Sequence, residues 1–157
     1  MARADPGPLV ERLGGALASA GMPRAASLVL SALMVDDDGR MTAAELGEAL
    51  ALSAGSVSAA VRYLGQIGVV RRERDRGSRR DVFVVDDDTW HRAMVRTDQL
   101  YAPIIAALQA GMAELGQDSP AHLRLLLTKE FLEFVNREMT ALMVRWDAHR
   151  QAMTDDD

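Results

Sequence analysis

Seven arginines lie close together in one stretch of an otherwise acidic chain. The chain has 18 Lys+Arg against 23 Asp+Glu, a net charge of -5. Residues 53–85 hold seven Arg and three acidic residues, so 7 − 3 gives this stretch +4 and leaves -9 for the rest of the chain. A guanidinium fork suits phosphates and guanine edges. This concentration of charge predicts contact with a polyanion such as nucleic acid, and the alternative is a solvated hairpin. The arginines are Arg62, Arg71, Arg72, Arg74, Arg76, Arg79 and Arg80.

Two short helices are predicted just before most of these arginines. Thr42 and Glu45 have the spacing of a capping box, which predicts a helix that runs to Leu50. Ser53 is a suitable cap for the next helix, which continues to Ile67. Apolar residues at helical spacing anchor one face of that second helix: Val57, Ala60, Val61, Leu64 and Ile67. Small and polar residues lie off this face and are the candidates for contact with bases: Ser53, Gly55, Ser56, Ser58, Ala59 and Arg62.

A β-hairpin is predicted after the second helix. Residues 69–74 and 81–85 have the composition of two strands, and the polar residues 75–80 form the tip between them. Arg76, Arg79 and Arg80 lie in the tip, where they would reach a DNA backbone or minor groove. Two short helices followed by such a hairpin are the layout of a winged helix-turn-helix, whose second helix enters the major groove.

The segment "TAAELGEALALSAGSVSAAVRYLGQIGVVRRERDRGSRRDVFVV" resembles the winged-helix region of MarR-type transcriptional regulators. The runs "GMPRAASLVLSALMV" and "SVSAAVRYLGQIGVV" are most similar to the GbsR-like branch of that family. The resemblance extends over residues 21–90 and implies a homodimer whose two winged regions bind a palindromic operator in double-stranded DNA. By position, it assigns Ser53, Ser56, Ser58 and Arg62 to the recognition helix, and Arg79 and Arg80 to the wing.

Helices are predicted on both sides of the winged region, so the fold class is mainly α with a two-stranded β wing. Pro103 is expected to kink or split the first of two long helices that close the chain. The apolar faces of these helices exceed what a small winged domain covers, which predicts dimerisation helices. The predicted organisation is a flexible N-terminus at 1–8, N-terminal helices at 9–35, the winged region at 36–86, dimerisation helices at 87–153 and an acidic tail at 154–157.

Five apolar or aromatic residues near the predicted helix junctions are candidates for an effector pocket, and a plain core is the alternative. GbsR-like proteins are associated with quaternary ammonium effectors, so the resemblance implies a small hydrophobic or cationic molecule. The candidates are Leu13, Met34, Trp90, Met94 and Tyr101.

Catalysis, cofactors and metal binding are not indicated. The three histidines are far apart, the acidic triplets fit turns and helix caps, and no Ser/His/Asp set or phosphate loop is present. Without a cysteine, a signal-like stretch or an apolar run of membrane length, we expect a cytoplasmic protein with no membrane contact. The sequence predicts a sequence-specific DNA-binding transcriptional regulator, a dimeric repressor released by a small effector. The alternative is a winged-helix protein-interaction module without sequence-specific DNA binding.

Overall fold

A computed structural model describes residues 7–74, 80–95 and 97–155. The predicted wing residues Arg76 and Arg79 lie outside these ranges, as do parts of the predicted flexible N-terminus and acidic tail. The described chain forms two compact units, the first ending at Thr89 and the second beginning at Trp90. The elements of the first unit are α1 (Gly7–Ser19), α2 (Arg24–Val35), β1 (Arg40–Thr42), α3 (Ala43–Ala49), α4 (Ala54–Gln66), β2 (Arg71–Arg74) and β3 (Asp81–Val84).

The core of the first unit is built around α2. Every residue from Ala26 to Leu33 is buried, because α2 contacts α1 and α4. Two serines lie within this helix, and both satisfy their hydroxyls on the backbone one turn earlier. Ser31 Oγ donates to the Ser27 carbonyl at 2.8 Å, and Ser27 Oγ donates to the Pro23 carbonyl at 3.2 Å. Pro23, predicted as the first helical residue, is instead the N-cap of α2.

The acidic turn after α2 is held by its first residue. Asp36 Oδ2 accepts from the backbone N–H groups of Asp38 and Arg40, both at 3.2 Å. Gly39 has φ +60°, and a Cβ there would lie 2.7 Å from the Val85 carbonyl oxygen. A left-handed conformation and this close backbone approach both require glycine. The turn therefore directs the chain into β1, alongside β3.

The predicted wing hairpin is confirmed as β2 and β3, which pair antiparallel. A third strand that was not predicted, β1, joins them in an antiparallel sheet of order β1-β3-β2. Arg40 and Arg71 both lie opposite Val84, one on each side of β3. The additional strand β1 has only three residues, too few to show the alternation by which strands are recognised. It is extended because β3 supplies its hydrogen-bond partners.

The two predicted short helices are confirmed, and so are their caps. The capping box joins Thr42 and Glu45 in both directions, and Ser53 Oγ accepts from the Ser56 N–H at 3.2 Å. Between the helices, Ala51 adopts the left-handed region with φ 51°. Ile67 was predicted on the apolar face of α4, but it is 38% exposed, because it caps the helix where the chain turns away.

The second unit contains three helices in its described part, α5 (Thr89–Val95, which starts at the last residue of the first unit), α6 (Thr97–Glu114) and α7 (Pro120–Asp155). α6 continues through Pro103, so the proline does not split this helix. α6 contacts α7, where a Cβ on Gly111 would meet Leu125 at 3.4 Å. None of the described helices combines the length and apolar character needed to cross a membrane.

Candidate nucleic-acid interface

The exposed side of α4 carries the residues that the sequence predicts as DNA contacts. Val57, Ala60 and Leu64 are buried and fix the helix to the first unit. On the other side, Ser56 is half-buried and the remaining predicted residues are exposed: Ser53, Gly55, Ser58, Ala59 and Arg62. The side chains before Arg62 are small, so nothing on this surface obstructs a close approach to base edges.

The serines at the start of α4 have different hydrogen-bonding roles. The Ser53 hydroxyl caps the helix and lies 2.9 Å from the Ser56 hydroxyl. Their oxygens are therefore already engaged with each other and with the first turn of α4. Ser58, one turn further along, is exposed and lies four residues before Arg62. Ser58 and Arg62 thus lie one turn apart on the same side of α4, beyond its cap.

An open groove of about 880 Å³ separates α4 from the wing strands. Ser58 and Arg62 line it from α4, whereas Arg80 and Asp81 line it from the wing. Several residues that line this groove were not predicted from the sequence to belong to it, among them Thr42, Ala43, Ala44 and Asp81. The capping box locates the start of α3, but no local pattern indicates that α3 lies beside α4 and the wing.

The base of the wing holds an ion-pair network on β2. Arg71 donates from Nε and Nη2 to the two oxygens of Asp86 at 2.8 and 2.7 Å. Arg71 also pairs with Glu73, whose other oxygen lies 3.0 Å from Arg40 Nη1. The bidentate hydrogen bond to Asp86 raises the pKa of Arg71 above its ordinary value. Arg71 is therefore held at the base of the wing, toward the segment that leads to α5.

A second pair lies closer to the wing tip. Arg72 Nη2 donates to Asp81 Oδ2, and this hydrogen bond holds the pKa of the Asp81 carboxyl below its ordinary value. Arg71 and Arg72 are therefore both engaged by carboxylates, and one of these, Asp86, lies outside the residues counted in the local charge of +4. Arg80 is exposed in the groove. Hydrogen bonds from Thr42 lower the pKa of Glu45 on α3, and the charge of Arg80 lowers it further.

The five candidate effector residues are distributed over both compact units. In the first, Leu13 is half-buried on α1, and Met34 on α2 is 41% exposed. In the second, Trp90 and Met94 on α5 are 45% and 46% exposed, and Tyr101 on α6 is half-buried. The assignment of these residues to an effector pocket stays a prediction.

Residues capable of metal binding are scattered in the described part of the chain. No group of three or more His, Cys, Asp or Glu side chains has the arrangement of a metal site within those residues. In the second unit, His91 Nε2 lies 3.5 Å from Asp147 Oδ1. This pair joins α5 to α7.

Two family models match separate parts of the chain. The model described as MarR family matches residues 20–81, which include α2, the helix-turn-helix and most of the wing. The model described as MmpR5-like MarR family transcriptional regulator matches residues 88–149, which include α5, α6 and most of α7.

Individual proteins support the same family. The chain is 31% identical over 117 residues to the HTH-type transcriptional regulator MmpR5 of Mycobacterium tuberculosis, covering 74% of this chain and 71% of the relative. It is 47% identical over 55 residues to the uncharacterized HTH-type transcriptional regulator YcgE of Bacillus subtilis, covering 35% of this chain and 36% of that one.

A solved structure is similar over most of the chain. The crystal structure of a transcriptional regulator superposes with a TM-score of 0.78 at 27% identity, covering 88% of this chain and 95% of that chain. The similarity to MmpR5 extends over more than two thirds of both sequences, and it agrees with the helix-turn-helix and wing described above. The chain belongs to the MarR family of winged-helix transcriptional regulators.

Proposed function

We propose that this protein is a sequence-specific DNA-binding regulator in which α4 contacts base edges and the wing contacts the DNA backbone. The observation that carries the proposal is the placement of Ser58 and Arg62 on the exposed side of α4, across a groove from Arg80. Arg62 is the long cationic side chain among small neighbours, and such a side chain reaches guanine when the helix lies in the major groove. The predicted contacts of Arg76 and Arg79 are part of the same proposal.

The regulator acts as a homodimer on a palindromic operator. Support comes from α7, whose apolar side chains Leu127, Phe131, Phe134 and Leu142 are 61%, 63%, 53% and 45% exposed in the isolated chain. An exposed apolar surface of this extent on a long helix favours burial against another subunit. Two copies related by a two-fold axis would present two α4 helices to the two halves of a palindrome.

The finer assignments concern regulation and subfamily. We propose that the protein is a repressor, released when an uncharged or cationic amphiphile binds the predicted effector residues. Trp90 and Met94 support this because they expose apolar surface on α5.

The proposed assignment to the GbsR-like branch rests on the resemblance of residues 21–35 and 56–70. The family model that matches residues 88–149 is the MmpR5-like one.

The test of DNA recognition is a selection of bound duplexes from a random pool. We expect enrichment of a palindrome, with affinity that falls steeply as salt rises because phosphate contacts release counterions. Binding to duplex DNA that is salt-dependent but enriches no sequence would contradict sequence specificity. An absence of any duplex binding would favour the protein-interaction module.

The effector assignment is tested by fluorescence and by a blocking variant. In a Trp146→Phe background, the emission of Trp90 reports on its own surroundings, and we expect it to change on titration with the amphiphile. Met94→Trp adds a second fluorophore and is therefore followed through operator binding. The amphiphile should no longer release the operator from this variant, whereas affinity without the amphiphile should be unchanged. If no amphiphile shifts operator affinity in the wild-type protein, the proposed release mechanism is wrong.

A further inference from the structure

The groove between α4 and the wing contains a carboxylate where a polyanion is expected. Among the described residues that line the groove, Asp81 is the acidic one, and Arg62, Arg71, Arg72 and Arg80 are the basic ones. The side chain of Asp81 is 33% exposed, and that of Arg72 is 67% exposed. A carboxylate on such a surface repels phosphates, and it also occupies the guanidinium that would bind them.

The geometry of the sheet explains why Arg72 and Asp81 meet. Arg72 lies opposite Phe83, whereas Asp81 lies opposite Arg74, so the two charged residues are diagonal neighbours on adjacent strands. Long side chains reach across such a diagonal. Their contact is a charge-assisted hydrogen bond from the Arg72 guanidinium to Asp81 Oδ2.

The pair differs from the other ion pairs of the wing in its position. Glu73 and Asp86 bind Arg71 at the base of the wing, and neither carboxylate lines the groove. Asp86 joins β2 to the segment before α5, and Glu73 joins β2 to Arg40 of β1, so a structural role accounts for both. Asp81 faces the groove itself, so a structural role at the base of the wing does not account for it.

We propose that Asp81 is a negative determinant of DNA affinity, which holds Arg72 away from phosphates and thereby weakens binding to nonspecific duplex. The inference rests on the proposed DNA-binding function. Nonspecific binding depends almost entirely on phosphate contacts, so the removal of one cation per subunit lowers it directly. A regulator benefits from this because nonspecific sites vastly outnumber its operator in a genome.

The experiment measures binding of a random-sequence duplex by fluorescence anisotropy over a range of salt concentrations. In Asp81→Asn the freed Arg72 gains a phosphate contact, so we expect tighter binding and a salt slope steeper by about 0.9 per subunit. In Arg72→Gln the unpaired carboxylate remains, so we expect weaker binding than wild type. The double variant Asp81→Asn, Arg72→Gln is expected to return close to wild type.

Glu73→Gln is the matched control, because it removes the same charge from the wing outside the groove. We expect a smaller change of slope than in Asp81→Asn, and circular dichroism of each variant verifies that the fold is intact. An equal change in both variants would overturn the proposal in favour of a net-charge effect. An unchanged slope in Asp81→Asn with a flatter one in Arg72→Gln would also overturn it, since Arg72 would then already contact phosphate. A wild-type protein that binds no duplex would instead overturn the proposed function, and this inference with it.

Discussion

At the scale of single residues, substitution of Arg62 is the most direct test of base recognition. It lies on the exposed side of α4, and among the described residues no carboxylate lies within ion-pair distance of it. We expect Arg62→Ala to weaken operator binding by about 1–3 kcal/mol through the loss of a bidentate base contact. Competition between the selected operator and variants changed at each base pair, followed by anisotropy, locates the position at which discrimination is lost.

Arg24→Ala is the control for Arg62→Ala, because Arg24 is an exposed arginine at the start of α2 and does not line the groove. It should leave both affinity and discrimination unchanged. Wild-type discrimination in Arg62→Ala would show that α4 does not recognise bases through this residue.

Arg80→Ala should weaken all duplexes alike and flatten the salt slope by about 0.9 per subunit if Arg80 contacts a phosphate.

Glu45 provides a pH-dependent prediction at the same scale. Hydrogen bonds from the Thr42 backbone N–H at 2.7 Å and hydroxyl at 2.8 Å lower the pKa of Glu45 below its usual 4.5. A lowered pKa means that the ionised carboxylate stabilises the folded state above pH 4.5, and that this contribution is lost as pH falls through the folded-state pKa. We expect Glu45→Gln to be less stable than wild type at neutral pH by about 0.3–1 kcal/mol.

Urea denaturation at a series of pH values checks this prediction, and the difference between the two proteins should disappear in acid. Glu48→Gln is the control, because Glu48 lies near the C-terminal end of the same helix, away from the capping box. A stability difference for Glu45→Gln that persists unchanged in acid would mean that the charge of Glu45 is not its source.

At the scale of secondary-structure elements, two adjacent glycines report on the contact between α1 and α2. A Cβ at Gly14 would lie 2.9 Å from Leu28 Cδ2, whereas a Cβ at Gly15 would have no neighbour within 4 Å. Gly15→Ala should therefore stabilise the protein by about 0.8–1 kcal/mol through helix propensity alone. Gly14→Ala gains the same propensity, but displacing the buried Leu28 costs about 1–3 kcal/mol. Urea denaturation of the two variants measures the difference.

Each of these variants serves as the control for the other, because both add one methyl group to the same helix. We expect Gly15→Ala to be more stable than wild type and Gly14→Ala to be less stable than Gly15→Ala. Equal stabilisation by both substitutions would contradict the close approach of α1 to α2.

At the scale of the whole molecule, the proposed homodimer depends on the exposed apolar side chains of α7. Phe131 is 63% exposed in the isolated chain. If a partner subunit buries it, Phe131→Asp should raise the dimer dissociation constant about 30-fold or more, equivalent to about 2 kcal/mol. Light scattering across a dilution series measures the mass, and a wild-type mass that stays near the 17.1 kDa of one chain would contradict dimerisation.

Thr140→Asp is the control, because Thr140 is an exposed residue of α7 outside the apolar set. It introduces the same charge into the same helix and should leave the mass unchanged. Circular dichroism should show unchanged helical content in both variants. Equal dissociation in both would point to a general effect of charge on α7 and not to burial of Phe131.

Local features of the winged unit could be predicted from the sequence because the interactions that cause them span only a few residues. The capping box of α3 joins residues three apart, and Ser53 caps α4 through Ser56. The buried face of α4 follows from apolar residues that recur every three or four positions, and the same periodicity determines that Arg62 is exposed. A helix-turn-helix with an arginine on its outer face was therefore determined by the sequence alone.

The tertiary structure decided the features that depend on residues far apart in the chain. Strand β1 exists because β3, about forty residues later, supplies its hydrogen bonds. Arg71 is held by Asp86, fifteen residues away, and Arg72 by Asp81, nine residues away, so a count of charges could not show which arginines are already paired. Neither pairing has a periodic signal, because it arises only when strand register and side-chain reach bring the two groups together.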